Sequence, residues 1–271
     1  YKKVKIQQNS EVKKIKNFKD YVKIFFTNTK SKISHEIKSK YVVGCDGANS
    51  ITRSQMKTKM DNLGFTQKWA VVDLILKKNK KKLPDRTIQY SNHEQPATYC
   101  RNVGKRRRWE FAIRNKLSEK TILSEKYIWN FLSPWLKKKE AYIERKTIYT
   151  FESAISRKWR KERIFIAGDA AHLMPPFMGQ GMCAGIRDVS NLAWKISLCI
   201  KNKHDEKFLD TYQTERFSNA KEYIETTMRM GEFVNAIGSD KITDNISSKP
   251  DGTKKMESIK PKLGLGLGNE T

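Results

Sequence analysis

The residues best suited to ligand chemistry lie in one stretch, Gly168-Asp169-Ala170-Ala171-His172-Leu173-Met174-Pro175-Pro176-Phe177-Met178-Gly179-Gln180-Gly181-Met182. An apolar run, Ile164-Phe165-Ile166-Ala167, feeds straight into Gly168-Asp169. A carboxylate at the end of such a strand can accept hydrogen bonds from a ligand hydroxyl of the sugar kind. Ala170 and Ala171 permit close backbone approach, and Pro175 and Pro176 stiffen the loop. Gly179 and Gly181 leave backbone amides clear of side chains just where a helix begins. A helix N-terminus gathers unpaired N–H groups and partial positive charge, which suits an anion or a developing negative charge. The competing account is an ordinary β–α connection with a glycine-rich turn.

A second candidate is the turn after Val42-Val43-Gly44, which reads Cys45-Asp46-Gly47-Ala48-Asn49-Ser50-Ile51-Thr52-Arg53. Asp-Gly after a strand is a common turn, because glycine tolerates positive φ. His172 invites a general-base role, and a histidine packed beside the loop is the alternative. The cysteines, at 45, 100, 183 and 199, form no CxxC pair, so neither a zinc site nor a redox dithiol is expected.

The elements that must position these residues follow from patterning. Residues 11–18 and 21–27 alternate in the manner of strands about a turn at 17–20; 32–38 alternates again and 39–43 leads into Gly44. Residues 48–57 open a short helix capped by Asn49 or Ser50. The mostly apolar run 69–76 predicts a strand buried on both faces, and 86–90, 97–101 and 107–113 follow at hairpin spacing with Gly104 in a turn. Tyr127, Ile128, Phe131, Leu132 and Trp135 predict a helix over 124–136 that Pro134 ends or kinks. Residues 143–151 return to β. Met182, Ile186, Val189, Ala193, Ile196 and Ile200 step by three and four, which puts them on one face of a helix. A charged helix follows over about 208–236, and beyond 238 the chain turns polar. There Gly264-Leu265-Gly266-Leu267-Gly268 has neither a strand before it nor a helix after it, so it reads as a flexible tail.

Composition narrows the classes. The 271 residues are 38% hydrophobic and 10% aromatic, enough to bury a core. No apolar run reaches the roughly 18 residues of a membrane-spanning helix. The N-terminus carries no initiator Met and no apolar signal segment, which predicts a cytoplasmic chain with reduced thiols, cut from something longer. The formal charge is +26, from 55 basic and 29 acidic residues. The basic residues are scattered, and the clusters at 77–82, 106–108 and 137–139 sit on no nucleic-acid-reading motif, so solvated surface is expected in place of a polyanion site.

Residues 163–195 resemble the second FAD-binding motif of class A flavoprotein monooxygenases, the aromatic hydroxylases, and within them the hydroxyphenylpropionate hydroxylase group. The stretch 42–53 resembles that family's Asp-Gly motif, about 120 residues upstream of GDAAH in the family's order. More softly, Trp69-Ala70-Val71-Val72-Asp73-Leu74, Arg107-Arg108-Trp109-Glu110-Phe111 and the 129–135 helix resemble its substrate domain. The resemblance implies a mixed α/β fold: a partial FAD-binding Rossmann-like domain with an inserted substrate domain on a mixed β-sheet, p-hydroxybenzoate-hydroxylase-like. The implied organisation is 1–59 as partial FAD-binding domain (β-meander and Asp-Gly motif), 60–155 as substrate-domain sheet with covering helix, 156–237 as FAD-binding domain continued, and 238–271 as flexible tail.

The resemblance also implies the chemistry. Asp169 would bind the ribityl chain of FAD, with Gly168, Ala170 and His172 in the same segment, while Pro175, Gly179, Gln180, Gly181 and Met182 line the isoalloxazine ring. Asp46 and Gly47 would contact FAD, with Arg53 a further candidate. NAD(P)H would reduce the flavin, O2 would add at C4a, and the hydroperoxide would pass one oxygen to a phenolic ring. The expected partners are a small aromatic substrate and O2, with no nucleic acid, membrane or metal, and either a homodimer or a complementing N-terminal fragment. That last expectation comes from a departure: the family's GxGxxG βαβ unit is not found in these 271 residues. Weak phosphate and adenine binding is therefore expected, and the alternative to a fragment of the active enzyme is an inactive remnant or split subunit.

Overall fold

The computed structural model describes residues 3–78, 82–90, 94–114, 116–202, 204–236, 246–248, 254–256 and 261. The elements in chain order are β1 (Ser10–Asn17), β2 (Val22–Asn28), β3 (Ser34–Ser39), β4 (Val42–Gly44), α1 (Ile51–Met56), β5 (Met60–Leu76), β6 (Ile88–Tyr90), β7 (Ala97–Arg101) and β8 (Arg106–Ala112). There follow α2 (Glu119–Ile122), α3 (Glu125–Leu132), β9 (Ala141–Ser156), β10 (Arg160–Lys161), β11 (Ile164–Ile166), β12 (His172–Leu173), α4 (Gly181–Ile200) and α5 (Thr211–Ala236). A short antiparallel pair, Ile246–Ser248 with Lys254–Met256, is described within the expected tail; the 264–268 glycine stretch lies outside the described residues. The chain divides into two compact units, one of Tyr1–Gly64, Ser153–Glu225 and Pro261–Thr271, the other of Phe65–Glu152 and Thr226–Lys260.

In the first unit β1, β2 and β3 form an antiparallel meander. Val22, Ile24 and Phe26 alternate inward on β2, and Ile15 joins them from β1, as a period of two demands. A second sheet runs β10-β11-β4. Ile164, Phe165 and Ile166 are all buried, the mark of a strand covered on both faces, so this run does not alternate. β11 pairs with β4 in parallel, Ile164 opposite Val42 and Ile166 opposite Gly44, and the Ala167 amide donates to the Gly44 carbonyl at 3.0 Å. Parallel pairing brings the carboxyl ends of both strands to one edge. The loops beginning at Cys45 and Ala167 therefore leave the sheet side by side, the place where open α/β sheets bind ligands.

Gly44 is fixed by packing. A Cβ there would stand 2.4 Å from the Thr52 Cβ and 2.5 Å from its Oγ1. Thr52 is itself buried, so the clash moves backbone as well as side chain. Gly44→Ala is expected to cost about 1–3 kcal/mol, read as a lowered urea midpoint; an unchanged midpoint would contradict this packing.

The helix α1 is capped by Ser50, whose Oγ accepts from the Arg53 amide. The helix α4 forms where the spacing predicts it. Its apolar stripe does share one face, but Met182 is 76% exposed and Ile186 53%. The buried face holds Ala184, Asp188, Leu192, Lys195 and Cys199. Two charged groups can lie inward because each is paired: Lys195 with Glu215 at 2.7 Å, and Asp188 with His172 and Arg216. The helix α5 is tied to β11 by the Tyr212 hydroxyl, which donates to the Ile166 carbonyl at 2.9 Å.

In the second unit the ladders β5–β8, β8–β7 and β7–β6 are antiparallel. Ala70, Val72, Leu74 and Leu76 face Tyr99, Trp109 and Phe111 and the helical residues Ile122, Ile128 and Leu132 in one core. The Trp109 ring lies 4.8 Å from Tyr99 and 6.2 Å from Trp135. The helix α3 ends at Leu132, two residues short of Pro134. The basic run 106–108 is absorbed by the fold. Arg106 pairs with Glu144 and Arg108 with Asp73, while buried Arg107 donates to the Gly104 carbonyl. No described helix is long and apolar enough to cross a membrane.

Candidate functional site

At the end of β4, Gly47 takes φ +78° with open space where a side chain would begin. The Asp46 carboxylate turns back onto α1. It accepts from the Ser50 hydroxyl at 2.6 Å and from the Thr52 amide and hydroxyl at 2.9 and 3.0 Å. The Asp46 carboxylate is thus engaged in holding its own loop. Arg53 links the two motifs: its guanidinium donates to the Ala48 carbonyl and, at 2.9 Å, to that of Ala170. Segments 117 positions apart in the chain are joined by that bond.

At the end of β11 the chain turns through Gly168 at φ +60° into a one-turn 3-10 helix, Gly168–Ala170. Asp169 is exposed there and makes no hydrogen bond or ion pair among the described residues. Ala170, Ala171, His172 and Pro175 are buried beneath it. Pro176–Met178 form a second 3-10 turn that closes on Gly179 at φ +63°, where a Cβ would meet nothing within 4 Å. Gln180 precedes α4 without a side-chain cap, so no capping side chain pairs the first amides of that helix.

His172 is 1% exposed. Its Nε2 donates to Asp188 Oδ2 at 2.6 Å, since a carboxylate can only accept, and its ring lies 5.2 Å from that of Trp159. Of the alternatives open at the sequence level, the packed histidine matches this geometry; a general base would have to reach a substrate proton. Asp188 and Arg216, which complete the cluster, carried no signal in the sequence. Asp188 is fully buried and also accepts from the Gly168 amide and from Arg216 Nε, each at 3.0 Å.

Burial alone would raise the Asp188 carboxyl, but hydrogen bonds from His172, Gly168 and Arg216 hold it below the ordinary value. At Asp46, likewise, burial pushes up and the Ser50 and Thr52 hydrogen bonds bring the carboxyl down. A carboxyl depressed in the folded state binds fewer protons there than in the unfolded chain. Its contribution is present above the unfolded value of about 3.9 and is lost as pH falls through the lower folded value. Stability should therefore hold from about pH 7 to pH 5 and fall steeply below about pH 4. Urea midpoints measured across that range check this; a midpoint rising below pH 4 would contradict it.

A cavity of about 360 Å³ in the second unit, lined by Thr66, Lys68, Ile113, Arg114, Leu117 and Ile122 among others, contains none of these loop residues. No group of three or more potential ligand side chains is placed to hold a metal among the described residues.

A family model described as "FAD binding domain" matches residues 2–227, and the chain belongs to that family. Its relatives are aromatic hydroxylases. It is 36% identical over 196 residues to a probable NADH-specific resorcinol 4-hydroxylase of Rhodococcus jostii (strain RHA1), a match covering 72% of this chain and 36% of that protein. It is 32% identical over 199 residues to a 3-(3-hydroxy-phenyl)propionate/3-hydroxycinnamic acid hydroxylase of Mycobacterium avium (strain 104), covering 73% of this chain and 34% of that one. Among solved structures, aklavinone-11 hydroxylase in a ternary complex with FAD and aklavinone superposes with a TM-score of 0.77 at 17% identity, over 92% of this chain and 51% of that one. The flavin-dependent monooxygenase PieE, in complex with FAD and substrate, gives 0.74 at 18% identity, over 84% and 41%. These structural likenesses establish the fold. The chain spans about a third of the length of the curated relatives it matches.

The residues present suit the ribityl and ring portion of a flavin. An unpartnered exposed carboxylate suits a polyol chain, and the open cradle at Gly179 beside uncapped helix amides suits the electron-rich edge of a flat ring.

Proposed function

We propose that this chain forms part of an FAD-dependent monooxygenase that hydroxylates a phenolic or other aromatic substrate with NAD(P)H and O2. The observation that carries the reading is the convergence of two strand-end loops. Arg53 ties the Asp-Gly loop to Ala170, beside the free carboxylate of Asp169 and the uncapped start of α4. Asp169 would hold the ribityl hydroxyls, and Gly168 would supply the positive-φ turn that presents it. Pro175, Gly179, Gln180, Gly181 and Met182 would border the ring, with the first amides of α4 toward its pyrimidine edge. The Asp46–Gly47 backbone would approach from the other strand. Bound FAD supplies hydride acceptance and oxygen activation; the chain binds it, orients it and limits water around it. The resorcinol relative is NADH-specific by name, which supports a nicotinamide reductant.

A specific observation supports a second reading, that the site is one part of a larger assembly, as a split subunit or inactive remnant. β4 has no strand on its far side among the described residues. Among the described residues α5 covers one flank of α4, through Asn191–Glu215 at 2.6 Å and Arg187 over the Tyr223 ring. The uncovered flank carries Ile186, Val189 and Ile200. Further polypeptide adding a strand and an apolar surface would complete both. NAD(P)H oxidation by the FAD-loaded chain, with resorcinol or 3-(3-hydroxyphenyl)propionate as probe, separates the two. Phenol-stimulated oxidation by the chain alone supports the enzyme. Flavin retention without turnover, gained on adding the unmatched portion of the resorcinol relative, supports the split form. No turnover and no flavin retention under either condition would contradict both.

A further inference from the structure

The loop 168–181 is held at both ends by the same helix. At its far end it continues directly into α4 at Gly181. At its near end Asp188, two turns into α4, accepts the Gly168 amide at 3.0 Å. One turn earlier Gly185 presses on the same point, its Cα 3.6 Å from where a Gly168 Cβ would stand. Four positions after Gly168, His172 Nε2 donates to the same Asp188 Oδ2 at 2.6 Å. From α5, Arg216 Nε donates to Oδ1 at 3.0 Å, while Arg216 Nη1 donates to Asn219. A fully buried carboxylate thus gathers donors from the turn, the loop and the neighbouring helix, and Asp169, next to one of them, faces solvent.

We propose that Asp188 is the positioning residue of the flavin loop: it fixes Gly168 and His172 against α4 and so sets where the free Asp169 carboxylate stands. This rests on the flavin reading above. Asp188 does not itself line the open side of the loop; it acts through Gly168 and His172. A carboxylate is required because every partner is a donor. Gly168 and His172 share Oδ2 and Arg216 takes Oδ1, so an amide of the same shape must turn its NH2 toward one set of donors and loses the bonds on that side. Held at three points, the loop keeps Asp169 in place before a ligand arrives, which lowers the ordering cost of binding.

The test compares Asp188→Asn with Lys195→Met, which removes another buried and paired charge from the same face of α4 without touching the loop. Two quantities are read on the 271-residue chain: hydrogen–deuterium exchange over 168–181 without ligand, and FAD affinity by flavin fluorescence. D188N is expected to raise loop exchange and the FAD Kd by about tenfold or more, with K195M changing both by less than about twofold. If D188N does not fold, His172→Phe keeps the packing on Trp159 and removes one donor, with a several-fold rise in loop exchange expected. Loop exchange within twofold of wild type in D188N, or in H172F where D188N does not fold, would overturn the proposal, as would K195M loosening the loop as much as D188N. If the wild-type chain binds no FAD the flavin reading fails, while the exchange comparison still decides the role of Asp188.

Discussion

Asp169→Asn is expected to weaken FAD binding by about 10- to 100-fold while leaving thermal stability almost unchanged. The carboxylate is exposed and has no protein partner among the described residues, so the folded chain loses nothing when it becomes an amide. A ligand polyol loses more. Hydrogen bonds to a charged acceptor contribute about 1.5–3 kcal/mol, and the amide replaces an acceptor with a donor at one oxygen position. Affinity and stability should therefore separate in this variant. A fluorescence titration set beside a urea curve reads both. Unchanged affinity would remove Asp169 from the site. A large stability loss would mean that the side chain is part of the fold.

The second large effect is on stability. Arg216→Met is expected to destabilise the chain by about 3–5 kcal/mol, because it leaves Asp188 buried without its guanidinium partner. Arg216 is 8% exposed and Asp188 0%, so water cannot take over the lost pairing. The double variant Asp188→Leu with Arg216→Met removes both charges and should recover part of the loss, since a buried ion pair replaced by apolar groups is often near neutral. Urea midpoints of the single and double variants measure this. A single-variant cost under about 1 kcal/mol would mean that the pair is solvated in a way its burial does not indicate.

Much of the fold was legible because local patterning and packing agree. β7 runs over the predicted 97–101, Pro134 follows the end of α3, and one of the two capping candidates, Ser50, holds α1. The apolar run before Gly168 is a strand because nothing in it needs solvent. Periodicity located α4 but not the face it buries. The spacing of the Ile and Val stripe marks a face without saying which way it points, and the partners of Asp188 and Lys195, supplied by α5 and the loop, make the opposite face the buried one. Those partners lie 16 to 28 positions from Asp188, beyond any local signal. Asp46 was legible as a turn residue, yet its carboxylate could have gone to a ligand or to its own helix; Thr52, six positions on, decides for the helix. Spacing alone left a ligand loop and a plain β–α connection both open, and the long-range bond from Arg53 to Ala170, which joins the two loops, has no local signal in the sequence.

The most direct test of that site is a fluorescence titration of FAD into the purified 271-residue chain. The account predicts flavin emission that is altered on binding and saturates at about one FAD per chain. Emission that tracks free FAD, with no saturation up to the limit of FAD solubility, would contradict it.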